Sequence, residues 1–214
     1  MPLPNRVDPF GAIAAVPERG LFLGNRGGRF HRDDRTIGPR PWASRQWICC
    51  VLSFKGRRRT QLMGRGYTEL FFLDEVTALA AGHRPCFECR RADATRFAAA
   101  WARAKGLPAP PKAPEMDAVL HAERLAGRGK RTWRTEAAGL PDGAMIAVVG
   151  QAFAVRGGKA LPWSYGGYGE GHSLPLGPVD VLTPTAIVAV LRQGFAPVWH
   201  PSAGWGISST DANW

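Results

Sequence analysis

Four thiols carry the sharpest chemical signal in this chain. Cys86 and Cys89 lie in Pro85-Cys86-Phe87-Glu88-Cys89, and Cys49 and Cys50 are adjacent in WICCVLSF. Two thiolates three positions apart can hold one tetrahedral metal, because the turn between them points both sulfurs inward. Zinc is the ion expected of a sulfur-rich tetrahedral site. A CxxC is also read as two buried free thiols or a redox pair. The redox pair ordinarily opens a helix after a strand in a thioredoxin-like pattern, and that context is absent here. Arg84, Arg90 and Arg91 crowd the pair and favour thiolate charge.

Half a site needs its other half. Neighbouring residues on a strand point to opposite faces, so one of Cys49 and Cys50 is expected to face the metal. The fourth ligand is a histidine or the second thiol. His31, in GNRGGRFH, is the preferred candidate, and His83 beside the CxxC is the rival. The expected set is therefore His31, one of Cys49 and Cys50, Cys86 and Cys89. The adjacent cysteine that faces away from the metal lies near the run Lys55-Gly56-Arg57-Arg58-Arg59. Those cations could lower its pKa and make it a nucleophile; the plainer alternative is a buried core thiol.

Other residues could act on a phosphate ester. Asp117 and His121 are four apart and share a helical face, with Glu123, Lys130 and Arg131 near in sequence. Acid, histidine and lysine beside phosphate could bind a metal or activate water, as in a nuclease. Zinc deaminases combine H-x-E with a downstream P-C-x-x-C; here His121-Ala122-Glu123 follows the cysteine pair, so the order is reversed. Lys55 and Arg57–Arg59 form one candidate phosphate clamp, and Arg84, Arg90 and Arg91 a second. RGKRTWR sets Lys130 and Arg131 beside Trp133, a pattern that suits unstacked bases. Trp163, Tyr165 and Tyr168 fall in a glycine-rich stretch. Their rings could stack on a base or could cap a turn from the core.

Elements must position these groups. Thr68–Leu73 has the apolar, aromatic character of a strand. Asp74 is a good helix N-cap, Val76, Leu79 and Ala80 give a short helix an apolar face, and Gly82 can close it. Gln46–Phe54 reads as a buried strand, followed by a basic turn and a second strand at Thr60–Met63. Asp93–Lys105 reads as a helix with Phe97 and Trp101 on one face. GLPAPPKAP is a connector, and Glu115–Leu125 a further helix. AMIAVV, AFAVRGG and KALPWS read as a β-meander. Thr183-Pro184 marks a helix start, with Thr183 as N-cap. GNRGGR reads as a flexible basic turn whose backbone could cradle a phosphate, without P-loop spacing.

AAGHRPCFEC, preceded by FFLDEVTAL, resembles the second half of the metal-binding domain of the Ada DNA-repair family. GNRGGRFH is similar to the entry of small stand-alone relatives in which the histidine is a zinc ligand, some of them attached to nucleases. The match covers roughly residues 22–92. It implies a zinc module that meets nucleic acid. In Ada the first half carries two cysteines a few residues apart, one of which takes a methyl group from a DNA phosphotriester. Here VLSFKGRRR follows Cys50, with no second cysteine at that distance, so the resemblance does not extend to methyl transfer.

Composition bounds the rest. In 214 residues, 45% are apolar, enough for a core, and the net charge is +11 with a pI of about 10.4. That balance favours polyanionic partners. A GC-rich coding sequence would raise Arg, Ala, Gly and Pro together, but would not explain the shortage of acids. No apolar run approaches a membrane span, and the opening MPLPNRVDPF lacks a signal-peptide pattern, so a cytoplasmic protein with no membrane partner is expected. The expected fold is α+β. A zinc module with a basic surface occupies residues 1–108, and a mixed half with a meander and short helices occupies 109–214. The expected function is zinc-dependent DNA binding in repair or nucleic-acid processing. The alternatives are a DNA-acting nuclease or glycosylase using the second half, or a thiol-based alkyl acceptor at Cys49 or Cys50.

Overall fold

The computed structural model describes residues 1–56 and 62–204. The fold is α+β. Strands β1 (Arg6–Val7), β2 (Ile13–Ala14), β3 (Phe22–Arg26), β4 (Trp47–Cys50), β5 (Leu70–Phe72) and β6 (Arg84–Pro85) form a first sheet in the order β2-β1-β5-β3-β4-β6. Helix α1 (Glu75–Ala80) links β5 to β6. Helices α2 (Arg91–Lys105) and α3 (Ala113–Arg124) follow, then the small hairpin β7 (Leu125–Ala126) and β8 (Gly129–Lys130).

The second sheet is built from β9 (Trp133–Glu136), β10 (Met145–Val148), β11 (Gln151–Arg156), β12 (Lys159–Ser164), β13 (Gly167–Tyr168), β14 (His172–Ser173) and β15 (Pro178–Val181). The meander expected from AMIAVV, AFAVRGG and KALPWS is β10-β11-β12, with antiparallel pairs Ile146↔Phe153 and Ala154↔Leu161. Helix α4 (Thr185–Arg192) comes last, with Ile187, Val190 and Leu191 packed on Phe97, Trp101, Met116 and Leu120.

Helix α1 is the hinge of this arrangement, and all six of its residues are buried. Asp74 caps it, as its position predicts: its carboxylate accepts from Thr77 N at 2.8 Å and from the Thr77 hydroxyl. The same carboxylate accepts from the Tyr168 hydroxyl at 2.9 Å and from His200 N at 3.0 Å. One capping residue therefore ties the second sheet and the C-terminal segment to the first sheet's helix. Gly82 has φ +85, a conformation a Cβ would strain, and its Cα faces the Arg124 stem. Hydrophobic clusters join Leu79 to Ile187, and Val76 to Met145 and Leu161, across the expected boundary near residue 108.

Several elements differ from their sequence expectations. The strand at Gln46–Phe54 stops at Cys50, and Leu52 is half exposed. Of the strand expected at Thr60–Met63, residues 60 and 61 lie outside the described residues, while Leu62 and Met63 lie in a turn. Thr183 is not the cap of α4: Pro184 occupies that position, and the Thr183 hydroxyl accepts from Met145 N instead. GNRGGR is not a free turn, because Asn25 and Arg26 belong to β3 and only Gly27 and Gly28 turn at positive φ. No described helix is long and apolar enough to cross a membrane.

Candidate metal centre

Register explains which thiols meet. Strands β4 and β6 run parallel, pairing Ile48 with Arg84 and Cys49 with Pro85. The next step of that register sets Cys50 beside Cys86, and Cys86 N donates to Cys49 O at 3.0 Å. Pro85 ends the strand, and the turn that follows returns Cys89 to the same place. The Sγ atoms of Cys50, Cys86 and Cys89 all lie within 4.8 Å of one another. A tetrahedral zinc with bonds of about 2.3 Å holds its sulfurs about 3.8 Å apart, so the three fit one ion.

The electrostatics agree with that fit. Burial and contact with the other two sulfurs make it costly for all three thiols to ionise together. Hydrogen bonds from the Cys50 and Cys89 thiols pull Cys86 down to about 2. Cys50, hydrogen-bonded to Cys86 and Cys89 and partly desolvated, is pushed far up. Cys89 is raised as well; the Cys50 contact lowers it, but contact with Cys86 and burial outweigh that. One negative charge shared over three sulfurs is what a thiol cluster shows until a cation permits all three to deprotonate. The Glu88 amide also points at Cys86 Sγ, at 3.4 Å. A cavity of about 640 Å³ opens over the cluster and is lined by Cys50, Cys86, Cys89, Glu69, Glu88 and Asn25, among others.

Two of the expected ligands sit elsewhere. Cys49 shares the inward face of β4 with Trp47 and is fully buried, packed among Val7, Leu70 and Phe72. Arg90 Nη1 approaches its sulfur at 3.5 Å, yet burial, then Glu75, hold the thiol well above its ordinary pKa. It is a core thiol and not an activated nucleophile. His31 is buried, with Nδ1 2.7 Å from the Thr68 hydroxyl and Nε2 2.9 Å from Gly64 O. Both ring nitrogens are engaged in tying its loop down, and neither joins the sulfurs. His83, the rival, is buried against Trp47 and Phe72 at 4.9 and 4.6 Å between ring centroids. Among the described residues no fourth His, Cys, Asp or Glu joins the group.

The expected phosphate contacts divide in the same way. Arg84 is buried and forks onto Asp117, at 2.9 Å from Nε and 2.7 Å from Nη2. Asp117 is therefore committed to an ion pair and is not poised to activate water. His121 shares its helix face but bonds Arg124 through Nδ1 at 3.0 Å. Its pKa is lowered by partial burial, then by Arg124. Arg90 forks onto Glu75 at 2.7 and 2.9 Å. Burial opposes its charge, but Glu75 outweighs this and raises its pKa. Neither Arg84 nor Arg90 faces solvent. Lys130 is drawn inward onto Ala80 O. Lys55, Arg91 and Arg131 are exposed, while Arg57, Arg58 and Arg59 lie outside the described residues. Trp163, Tyr165 and Tyr168 belong to the hairpin β12-β13, not to a ligand loop. Trp163 donates to the Thr77 hydroxyl, Tyr165 packs edge-on to Trp163 at 4.8 Å, and Tyr168 is buried on Asp74.

Sequence reasoning overlooked Arg26 and Arg124. Both are 1% exposed, and both guanidiniums stack on Trp47, 3.9 and 3.8 Å from its ring centroid. Nothing in the local sequence distinguishes them from surface arginines.

Comparison with known proteins returns no match: no family model, no curated protein and no solved structure is similar to this chain.

Proposed function

We propose that the chain is a zinc protein that binds DNA, in repair or nucleic-acid processing, with Cys50, Cys86 and Cys89 holding the metal. The observation that carries the metal is the three-sulfur cluster at the shared end of β4 and β6. Support for the DNA partner comes from the net charge of +11, from exposed Lys55 and Arg91 near the cluster in sequence, and from the resemblance to the Ada metal-binding domain. Zinc in this place joins the end of β4 to the β6–α2 turn.

A second reading has its own support. Cys50 is half buried and lines the 640 Å³ cavity. Three protein ligands leave one tetrahedral position for solvent or substrate. A metal-held thiolate is deprotonated at neutral pH yet remains a nucleophile. Cys50, rather than Cys49, is then the alkyl acceptor.

Metal analysis of the purified protein tests the centre: one zinc per chain is expected, lost in Cys86→Ser. Fluorescence anisotropy with duplex, single-stranded, nicked and abasic DNA tests the partner. Binding should weaken with log salt at a slope of about −0.9 per phosphate contact on duplex. No binding to any form at low salt would sink the DNA reading and leave the metal reading standing.

A further inference from the structure

A second cavity meets β4 at Trp47, on the face of the strand opposite Cys50. It measures about 470 Å³ and is lined by Arg26, Arg124, Lys130, Phe10, Ile37 and Trp42, among others. Exposed Arg128 stands at its edge, and the hydrogen bonds of its three inward cations go to neutral groups. Arg26 donates to Gly11 O at 2.8 Å, to Pro41 O at 3.3 Å and to His83 Nε2 at 3.3 Å. Arg124 donates to Gly82 O at 2.9 Å and Arg45 O at 2.6 Å, with His121 Nδ1 at 3.0 Å. Its Nε, buried, has no hydrogen-bond partner. Lys130 donates to Ala80 O.

Among the described residues no carboxylate forms an ion pair with any of the three. At longer range Asp8 acts on Arg26 and Lys130, and Asp117 on Arg124; burial raises the Asp8 carboxyl. Burial lowers Arg26 to about 9. Arg124, lowered by burial and then by Arg26, also falls to about 9. Burial and Arg26 together lower Lys130 to about 7. Concentrating cations where water is scarce is costly unless an anion arrives. The cost is met here three times in one cavity.

The walls narrow the kind of anion. Phe10, Ile37 and Trp42 are half buried and apolar, which suits an organic body rather than a hydrated inorganic ion. Trp42 sits 6.1 Å from Trp47 and 6.2 Å from His121 between ring centroids, so it is held at the cavity by its neighbours. Cations and a tryptophan lining one cavity match a phosphate joined to a planar ring.

We infer that this cavity is a nucleotide site: Arg26, Arg124 and Lys130 receive the phosphate, and Trp42 packs on the base. The nucleotide is either free or the phosphorylated end of a strand. The site shares no lining residue with the thiol cavity and does not depend on the metal.

Isothermal titration of the full-length protein at low salt tests the inference. The probes are AMP, adenosine, inorganic phosphate, and one oligonucleotide with a 5′-phosphate or a 5′-hydroxyl. AMP should bind once per chain, at least about tenfold more tightly than adenosine or phosphate. Lys130→Met and Trp42→Ala, both at partly exposed positions, should each weaken AMP about tenfold while circular dichroism stays unchanged. If the 5′-phosphorylated oligonucleotide competes and its 5′-hydroxyl twin does not, the source is a strand end. If only AMP competes, the source is free nucleotide. Equal binding of AMP and adenosine, phosphate binding as tightly as AMP, or unchanged affinity in both folded variants would overturn the assignment. Duplex anisotropy is a separate readout, so this site can fail while the DNA reading stands, and the reverse.

Discussion

Two sets of interior cations in this protein are handled in opposite ways. Arg84 and Arg90 each meet a carboxylate through two hydrogen bonds, from Asp117 and Glu75 respectively. Arg26, Arg124 and Lys130 meet carbonyls, imidazoles and the Trp47 ring but no carboxylate at ion-pair distance among the described residues, and they line a cavity. The first arrangement neutralises charge and braces elements: Arg84–Asp117 joins β6 to α3, and Arg90–Glu75 joins the start of α2 to α1. The second leaves the charge without an ion-pair partner among the described residues, in a place a ligand can reach. Interior charge without an ion-pair partner lowers stability, and a cavity beside it gives an anion access, which favours binding over architecture.

The comparison can be broken by mutation. Asp117→Ala leaves Arg84 buried and alone, and should lower unfolding free energy by about 3–5 kcal/mol in urea denaturation. The double replacement Arg84→Met with Asp117→Leu should recover most of that loss. A mild effect of Asp117→Ala would mean that Arg84 swings to solvent and that the pair does not brace the fold.

The acid limb of stability sharpens the same contrast. Burial, then Arg26 and Arg124, hold His83 well below its ordinary pKa. The unfolded chain therefore takes up a proton near pH 6.5, at which the native state does not. The stability due to neutral His83 is complete above pH 6.5 and declines as pH falls below it, at up to about 1.4 kcal/mol per pH unit. His83→Phe, if it folds, should flatten that limb between pH 6.5 and 5 in thermal melts. An unchanged slope would show that the neighbouring cations do not suppress the protonation.

The smallest expected effect has the opposite sign. Lys130→Met removes a cation without an ion-pair partner among the described residues and should raise stability by about 1 kcal/mol in the absence of any anion. The sign follows from the lowered pKa: the unfolded chain protonates Lys130 near pH 10.5, whereas the native chain does so only near 7. A loss of stability on this replacement would place Lys130 among the bracing cations.

Two stretches of the first sheet, those of β4 and β5, and the thiols of the site were legible in the chain. The run Thr68–Leu73, the Asp74 cap and Gly82 identify β5 and α1 because local chemistry governs each step. Cys86 and Cys89 share a site because a turn of that length brings them together whatever surrounds it. Trp47 held the missing clue to the adjacent cysteines. It sits two positions before Cys49, so the two share one face, and a tryptophan facing the core turns Cys49 inward and leaves Cys50 for the metal. His31 is ambiguous in sequence because a histidine after glycines looks the same whether its ring meets a metal or, as here, a threonine hydroxyl.

By itself, then, the sequence determined the α+β class, the meander, the capped helix α1 and the CxxC turn, since each rests on interactions within a few residues. The tertiary structure alone decided the rest. The parallel register of β4 on β6 chose Cys50. Contacts 33 residues apart chose Asp117 as the partner of Arg84. Arg26 of β3 and Arg124 of α3 stack on Trp47, and Lys130 of β8 lines the same cavity, a gathering that no local pattern foretells. Charge in a sequence has a sign but no depth, and depth is what separates a solvated arginine from one that waits for an anion.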